Sequence, residues 1–291
     1  MKLYRYYAAL MIVLSLALSA CMVEPAANPA PAQSISAQAG DVTVTFIDVG
    51  QGDSTLIQTE TGAMLIDGGV RAAYEVISEL LHSEGIYHLD YVVATHPHAD
   101  HIGGLVPLID NNNGISIGTV IMPNVAHTTR TFENFLTALL KHDIHVAEPY
   151  PGKLLELDDV VFTIVAPNSS VYDNLNNYSI VLIMDHGDNS FIFTGDAEHE
   201  SELEIIAAFD DISADVLRVG HHGSRTSTST EFLDAISPSY AVISAGEGNQ
   251  YGHPHDVVIE RLTERGIHIL LTYEHGNISI VSDGEIIKIR S

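Results

Sequence analysis

Positive charge and cysteine are what this chain has least of. It carries 12 Lys and Arg against 38 Asp and Glu, a formal charge of −26. Such a surface repels polyanions at long range, and no Lys/Arg-rich run offers a track for phosphates. Tight nonspecific binding to long nucleic acid is therefore disfavoured, although a nuclease is not excluded. The one cysteine, Cys21, rules out an intramolecular disulfide and leaves no second thiol for catalysis. No Gly-x-Ser-x-Gly elbow is present to support a serine nucleophile. Residues 41–291 hold no apolar run long enough to span a bilayer, so this segment by itself is not expected to carry DNA across one.

The amino-terminal region has its own pattern. Lys2 and Arg5 precede a largely apolar run from Ala8 to Leu18, too short to cross a membrane comfortably, and Leu18-Ser-Ala-Cys21 closes it. This resembles a bacterial lipoprotein signal, in which the cysteine is lipidated and becomes the new amino terminus; a plain secretory signal or an uncleaved anchor is the alternative. Residues 1–20 thus read as a signal peptide. Residues 21–40, rich in Pro and small side chains, read as a disordered tether. Residues 41–291 read as one domain. The expected location is the extracytoplasmic face of the membrane, held there by a lipid on Cys21.

Within 41–291, strand-like runs alternate with helical ones. Thirteen strands are expected: residues 42–48, 54–58, 63–67, 91–95, 119–122, 160–165, 180–184, 191–194, 216–219, 240–244, 267–272, 278–281 and 286–289. Helical spacing marks 72–83, 132–140, 200–209, 231–236 and 257–265, with Thr228-x-x-Glu231 as a capping box. Early hairpins followed by strand–helix alternation predict two packed sheets with helices on the outer faces. Asp48, Asp67, His96, Asp196 and His221 fall where apolar strands end, which sets them along one edge.

The densest signal is Thr95-His-Pro-His-Ala-Asp-His-Ile-Gly-Gly-Leu105, where His96, His98, Asp100 and His101 fall within six positions. No packing role needs that density of nitrogen and oxygen donors, which suit zinc and neighbouring divalent metals. A strand precedes the cluster, and Gly103 and Gly104 follow it with a backbone free to turn. Gly50-Gln-Gly-Asp53 reads as a hydrogen-bonded turn supporting the same edge, with a phosphate-binding turn as the alternative.

Together with later segments, this cluster resembles the metallo-β-lactamase superfamily, whose fold is a four-layer αββα sandwich with one or two metals at one edge. Phe46-Ile-Asp-Val-Gly-Gln-Gly-Asp53, Asn176-Asn-Tyr-Ser-Ile-Val181, Val219-Gly-His-His-Gly-Ser224 and Tyr251-Gly-His-Pro254 are similar to the extracellular hydrolase domain of ComEC-type DNA-uptake proteins. The resemblance implies that His96 and His98 hold one ion, that Asp100, His101 and one of His221 and His222, with His222 favoured, hold a second, and that Asp196 bridges them. Zinc or manganese is implied. Asp67 would support the metal loop, and Asn177 and Ser179 would stand near the site. Most superfamily members carry a further His between the cluster and the bridging acid; His127, His142, His145 and His186 lie there but read as surface residues.

The expected function is a surface-anchored metal-dependent hydrolase, with Asp100 and Asp196 in the catalytic group and His253 donating a proton or binding an anionic oxygen. Ser224 and Arg225 follow the His pair, and Arg225 is a rare cation placed to clamp a phosphate or carboxylate. A phosphodiester or other small anionic substrate is favoured, with nucleic acid as one source. A lactone, β-lactam, ester or amide is the alternative, and a noncatalytic metal-containing module is a third.

Overall fold

A computed structural model describes residues 40–111 and 114–290. The expected signal peptide, nearly all of the tether, and Cys21 lie outside the described residues.

The first half supplies β1 (Val42–Phe46), β2 (Thr55–Gln58), β3 (Ala63–Ile66), α1 (Tyr74–Ser83), β4 (His88–Val93), α2 (Ala99–Ile102), α3 (Leu105–Asp110), β5 (Ser116–Ile121), α4 (Arg130–Lys141) and β6 (His145–Ala147). The second half supplies β7 (Leu154–Leu157), β8 (Val160–Ala166), β9 (Val181–His186), β10 (Asn189–Phe193), α5 (His199–Ala208), β11 (Val216–Arg218), α6 (Thr230–Ile236), β12 (Tyr240–Ile243), α7 (Asp256–Glu264) and β13 (His268–Leu271). After α8 (Thr272–His275) the chain returns to the first sheet through β14 (Ile278–Ser282) and β15 (Ile287–Arg290). The first sheet runs β15-β14-β1-β2-β3-β4-β5-β6, and the second runs β13-β12-β11-β10-β9-β8-β7.

Three apolar clusters define four layers. Phe46, Met64, Ile66 and Ile121 of the first sheet pack against Phe162, Leu182, Met184 and Phe193 of the second, filling the space between the sheets. Ile77, Leu81, Leu105 and Phe135 cover the outer face of the first sheet. Ile205, Phe232, Leu233, Val258 and Leu262 cover that of the second. Central strands such as β3 and β11 are buried on both faces because both faces are covered. This is the αββα sandwich read from the sequence.

Several local readings change. The short strands β6 and β7 escape apolar-run detection because one has three residues and the other alternates exposed with buried side chains. The capping residue of α6 is Ser229, whose hydroxyl accepts from the Phe232 N–H, whereas Thr228 sits at φ 55° outside the helix. Gly103 and Gly104 do not turn the chain: both have helical angles and close α2 onto α3. Their missing side chains serve close approach instead. A Cβ on Gly104 would lie 2.0 Å from the Gly68 carbonyl oxygen, so the metal loop can lie against the turn after β3 only with glycine there.

The topology places the site. β3 and β4 are parallel, as are β10 and β11, and the turns that follow their carboxyl ends carry Asp67, the His-rich loop, Asp196 and the His pair.

Phe162 is fully buried between the sheets. Phe162→Ala is expected to cost about 3–5 kcal/mol, read as a lower urea midpoint with an unchanged slope.

Candidate metal centre

Asp67 organises the His-rich loop from beneath. It is fully buried, at φ 57°, and its Oδ1 accepts the Thr95 N–H at 2.8 Å. Its Oδ2 accepts the Thr95 hydroxyl at 2.7 Å and lies 2.7 Å from His101 Nδ1. With Nδ1–H committed to that carboxylate, His101 turns Nε2 the other way, 3.2 Å from Asp196 Oδ2. Burial pushes the His101 ring down, but the carboxylates of Asp196 and Asp67 on either side hold it well above the usual histidine range. His96 has no such sandwich: burial and the neighbouring His101 keep it well below that range.

Two donor groups face each other. His96, His98 and Asp196 bring ligand atoms within 4.8 Å of one another, and so do Asp100, His101 and His222. Asp196 serves both, with Oδ2 at 3.8 Å from His96 Nε2 and Oδ1 at 3.6 Å from His222 Nε2. Burial would raise its carboxyl, yet the facing His101 and His222 rings hold it well below the usual carboxylate range. Ser179 fixes the turn by accepting the Asp196 N–H at 3.0 Å, and its hydroxyl also lies 3.3 Å from His96 Nδ1. His101 Nε2, His222 Nε2 and Asp196 Oδ1 are buried with no hydrogen-bond partner among the described residues. Buried polar atoms left so, with imidazole and carboxylate chemistry converging, fit one or two divalent cations.

The two adjacent histidines take different places at the site. They leave β11 in the left-handed region, at φ 50° and 55°, and both rings reach Asp196. His222 is buried, donates from Nδ1 to the Ser244 carbonyl at 2.9 Å, and presents Nε2 at 3.4 Å from Asp100 Oδ2. His221 is partly open, with Nδ1 3.2 Å from Glu198 Oε1 and Nε2 3.7 Å from Asp196 Oδ2. Burial lowers its ring, but Glu198 and Asp196 together carry it above the usual value. His222 thus joins a donor group, and His221 stands at the rim.

His253 belongs to the same edge, its ring centroid 5.4 Å from that of His221 and 6.3 Å from that of His222. Burial and the surrounding imidazoles lower it to about 4, so it is neutral near pH 7. Of the two roles expected for it, a neutral ring suits hydrogen bonding to an anionic oxygen. Arg225 is exposed on the loop after the His pair, its N–H donating to His255 Nδ1 at 3.0 Å. Ser224 is buried; its N–H donates to the His221 carbonyl and its hydroxyl bonds Thr226, so it shapes the turn.

Other expected residues are placed elsewhere. Asn177 accepts the Glu198 N–H and donates to Glu200, which supports the turn holding His221 from behind. Asp48 caps its own turn by accepting the Gly50 N–H. The Gly-Gln-Gly-Asp segment is the supporting turn: the Asp53 N–H donates to the Asp100 carbonyl at 3.1 Å. His186 is buried, with Nδ1 2.8 Å from the Ser282 hydroxyl, so its surface reading fails; His142 and His145 are exposed. His127 is half-buried beside the site, its ring 5.7 Å from that of His98. Sequence reasoning missed Arg218 and Glu198, which only proximity in space singles out. Asn176, which opens the Asn-Asn-x-Ser segment, donates to Glu198 and lies 3.3 Å from His221 Nδ1.

This chain belongs to the metallo-beta-lactamase superfamily, whose model matches residues 47–247. Proteins of that fold bind one or two metal ions. Among its relatives, ComE operon protein 3 of Bacillus subtilis is 34% identical over 253 residues, covering 81% of this chain and 32% of the relative. Competence protein ComA of Neisseria gonorrhoeae is 33% identical, covering 80% and 31%, and Recombination protein 2 of Haemophilus influenzae is 34% identical, covering 75% and 26%. The chain therefore spans about a third or less of the length of these relatives. Among solved structures, the metallo-beta-lactamase fold protein YhfI of Bacillus subtilis superposes with a TM-score of 0.57 at 14% identity, covering 84% of this chain and 100% of that one. CmlA of Streptomyces venezuelae, a diiron beta-hydroxylase, gives 0.53 at 13% identity, covering 83% and 53%.

Asp67→Ala is expected to weaken zinc binding by about 10- to 100-fold, because it frees His101 to rotate. Competition against a chromophoric chelator measures this directly.

Proposed function

We propose that this protein is a metal-dependent phosphodiesterase, nuclease-like in its chemistry, held at the extracytoplasmic face of the membrane by a lipid on Cys21. The observation that carries the reading is Asp196, one buried carboxylate shared by two groups of donors, which suits a pair of zinc or manganese ions. The relatives named for competence and recombination favour phosphodiesters over lactones or β-lactams as substrate. Bound divalent ions would supply Lewis-acid stabilisation of a phosphate and acidify a water. The chain's own residues do the rest. His96, His98 and Asp196 would hold one ion, and Asp100, His101 and His222 the other. Glu198 keeps Nε2 of His221 directed at the centre, where a raised imidazole favours negative charge. His253 can hydrogen-bond an anionic oxygen as a neutral ring, and Arg225 supplies charge at the rim. The acidic surface suits short or single phosphodiesters better than a long tracked polymer.

His98→Ala and Asp196→Ala should each abolish turnover while the domain stays folded, and chelation should do so reversibly. The measurement is bound metal with kinetics on phosphodiester, phosphomonoester, lactone and β-lactam substrates. A parent that cleaves only lactones or β-lactams would overturn the substrate assignment. His253→Ala and Arg225→Ala should keep the metal content and slow phosphodiester turnover; loss of an ion in His253→Ala would put that residue among the ligands. Cys21→Ser should leave the membrane fraction or accumulate as an unprocessed precursor, and unchanged lipid labelling would refute the anchor.

A further inference from the structure

We infer that Arg218 is a positioning residue for the metal centre, tying the turns of the two sheets that carry the donors into one frame. The inference rests on the reading that the His/Asp cluster takes divalent ions. Arg218 ends β11 and is 1% exposed, a permanent cation buried beneath the cluster. Its Nη1 donates to the carbonyls of Gly195 at 2.6 Å and Val219 at 2.9 Å. Gly195 precedes Asp196, and Val219 opens the turn to His221 and His222. Its Nη2 lies 2.8 Å from Asp53 Oδ2, across the gap between the sheets.

Asp53 passes the constraint on. Its N–H donates to the Asp100 carbonyl at 3.1 Å, and its own carbonyl accepts the Gly69 N–H at 2.8 Å, two residues beyond Asp67. A Cβ on Gly52 would lie 2.6 Å from the Asp100 carbonyl oxygen, so the turn and the metal loop are in close backbone contact. One guanidinium thereby links Asp196 and the His pair on one side to Asp100 and Asp67 on the other. The distance from Nη1 to Asp196 Oδ1 is 3.9 Å, too long for a hydrogen bond, so Asp196 keeps its oxygens free for an ion. The rigid fork of arginine suits three acceptors at fixed angles.

Two effects of opposite sign meet at this residue. A cation so close to Asp196 repels an incoming divalent ion, so deleting the charge alone would tighten metal binding. Deleting a frame would loosen it. Apolar residues of similar volume can replace a buried ion pair without loss of stability, which separates framing from simple plugging of the core.

The test uses the full chain as parent, Arg218→Met, Asp53→Leu and the double variant. Three quantities are measured: zinc affinity against a chromophoric chelator, the visible absorption spectrum of the cobalt(II) form, and urea unfolding of the metal-free protein. Each single variant should bind zinc about 10- to 100-fold more weakly and alter the cobalt spectrum. The double variant should recover most of the unfolding midpoint while its zinc affinity stays as low as that of the singles. Should a single variant fail to fold, the double variant, with no buried charge unpaired, gives the same reading. Parental zinc affinity and cobalt spectrum in the double variant would overturn the inference and leave Arg218 a structural plug, and tighter zinc binding would show that charge repulsion dominates and overturn it equally. A parent that binds no zinc would remove the metal-centre reading itself, a result distinct from a parent and variants that all bind alike.

Discussion

A carboxylate taken out of water costs several kcal/mol unless its surroundings replace the lost hydration, and Asp196 is almost wholly out of water. Its surroundings come from both halves of the chain. His96 and His101 reach it from the first sheet, and His221 and His222 from the turn after β11 in the second. The charge is therefore tolerable only when the two sheets meet at this edge in one register. Much of the surrounding hydrogen bonding follows from that requirement. Asp67 holds His101, Ser244 holds His222, Glu198 holds His221 and Ser179 holds the Asp196 turn itself.

The distribution of charge follows the same logic. An acidic chain collects carboxylates at one edge and offsets them there with imidazoles, whose protonation can give way to a metal, and with one guanidinium, whose charge cannot. Outside that edge most acidic groups are solvated, Glu202 being the buried exception among the described residues, where it accepts the Thr228 and Ser229 N–H groups.

How much of this was legible in the sequence depends on how local each signal is. The two-sheet sandwich was readable because strand runs and amphipathic helices each carry their own period. His96, His98, Asp100 and His101 were readable because four donors in six positions have no packing explanation. Arg218 was not: in Val216-Leu-Arg-Val219 it looks like the polar position of an ordinary strand, and only the partner 165 residues earlier, Asp53, gives it meaning. Both residues of the His pair adopt positive φ, which no local pattern announced. Asn177 sat in the right motif but serves the turn behind the site. His186 looked like a surface residue because its partner Ser282 lies on β14, nearly a hundred residues later.

The pairing of β1 with β14 also bears on how the protein is made. Val44 lies opposite Ile280, so the first sheet cannot close until β14, more than 230 residues after β1, has left the ribosome. The His-rich loop emerges roughly 95 residues before Asp196 and roughly 120 before His222, and until then it has Asp67 behind it but lacks the carboxylate that its two donor groups share. Contacts so distant in sequence form slowly. The nascent chain must carry an unfinished sheet edge until β14 is made, a period in which the acidic surface keeps neighbouring copies apart.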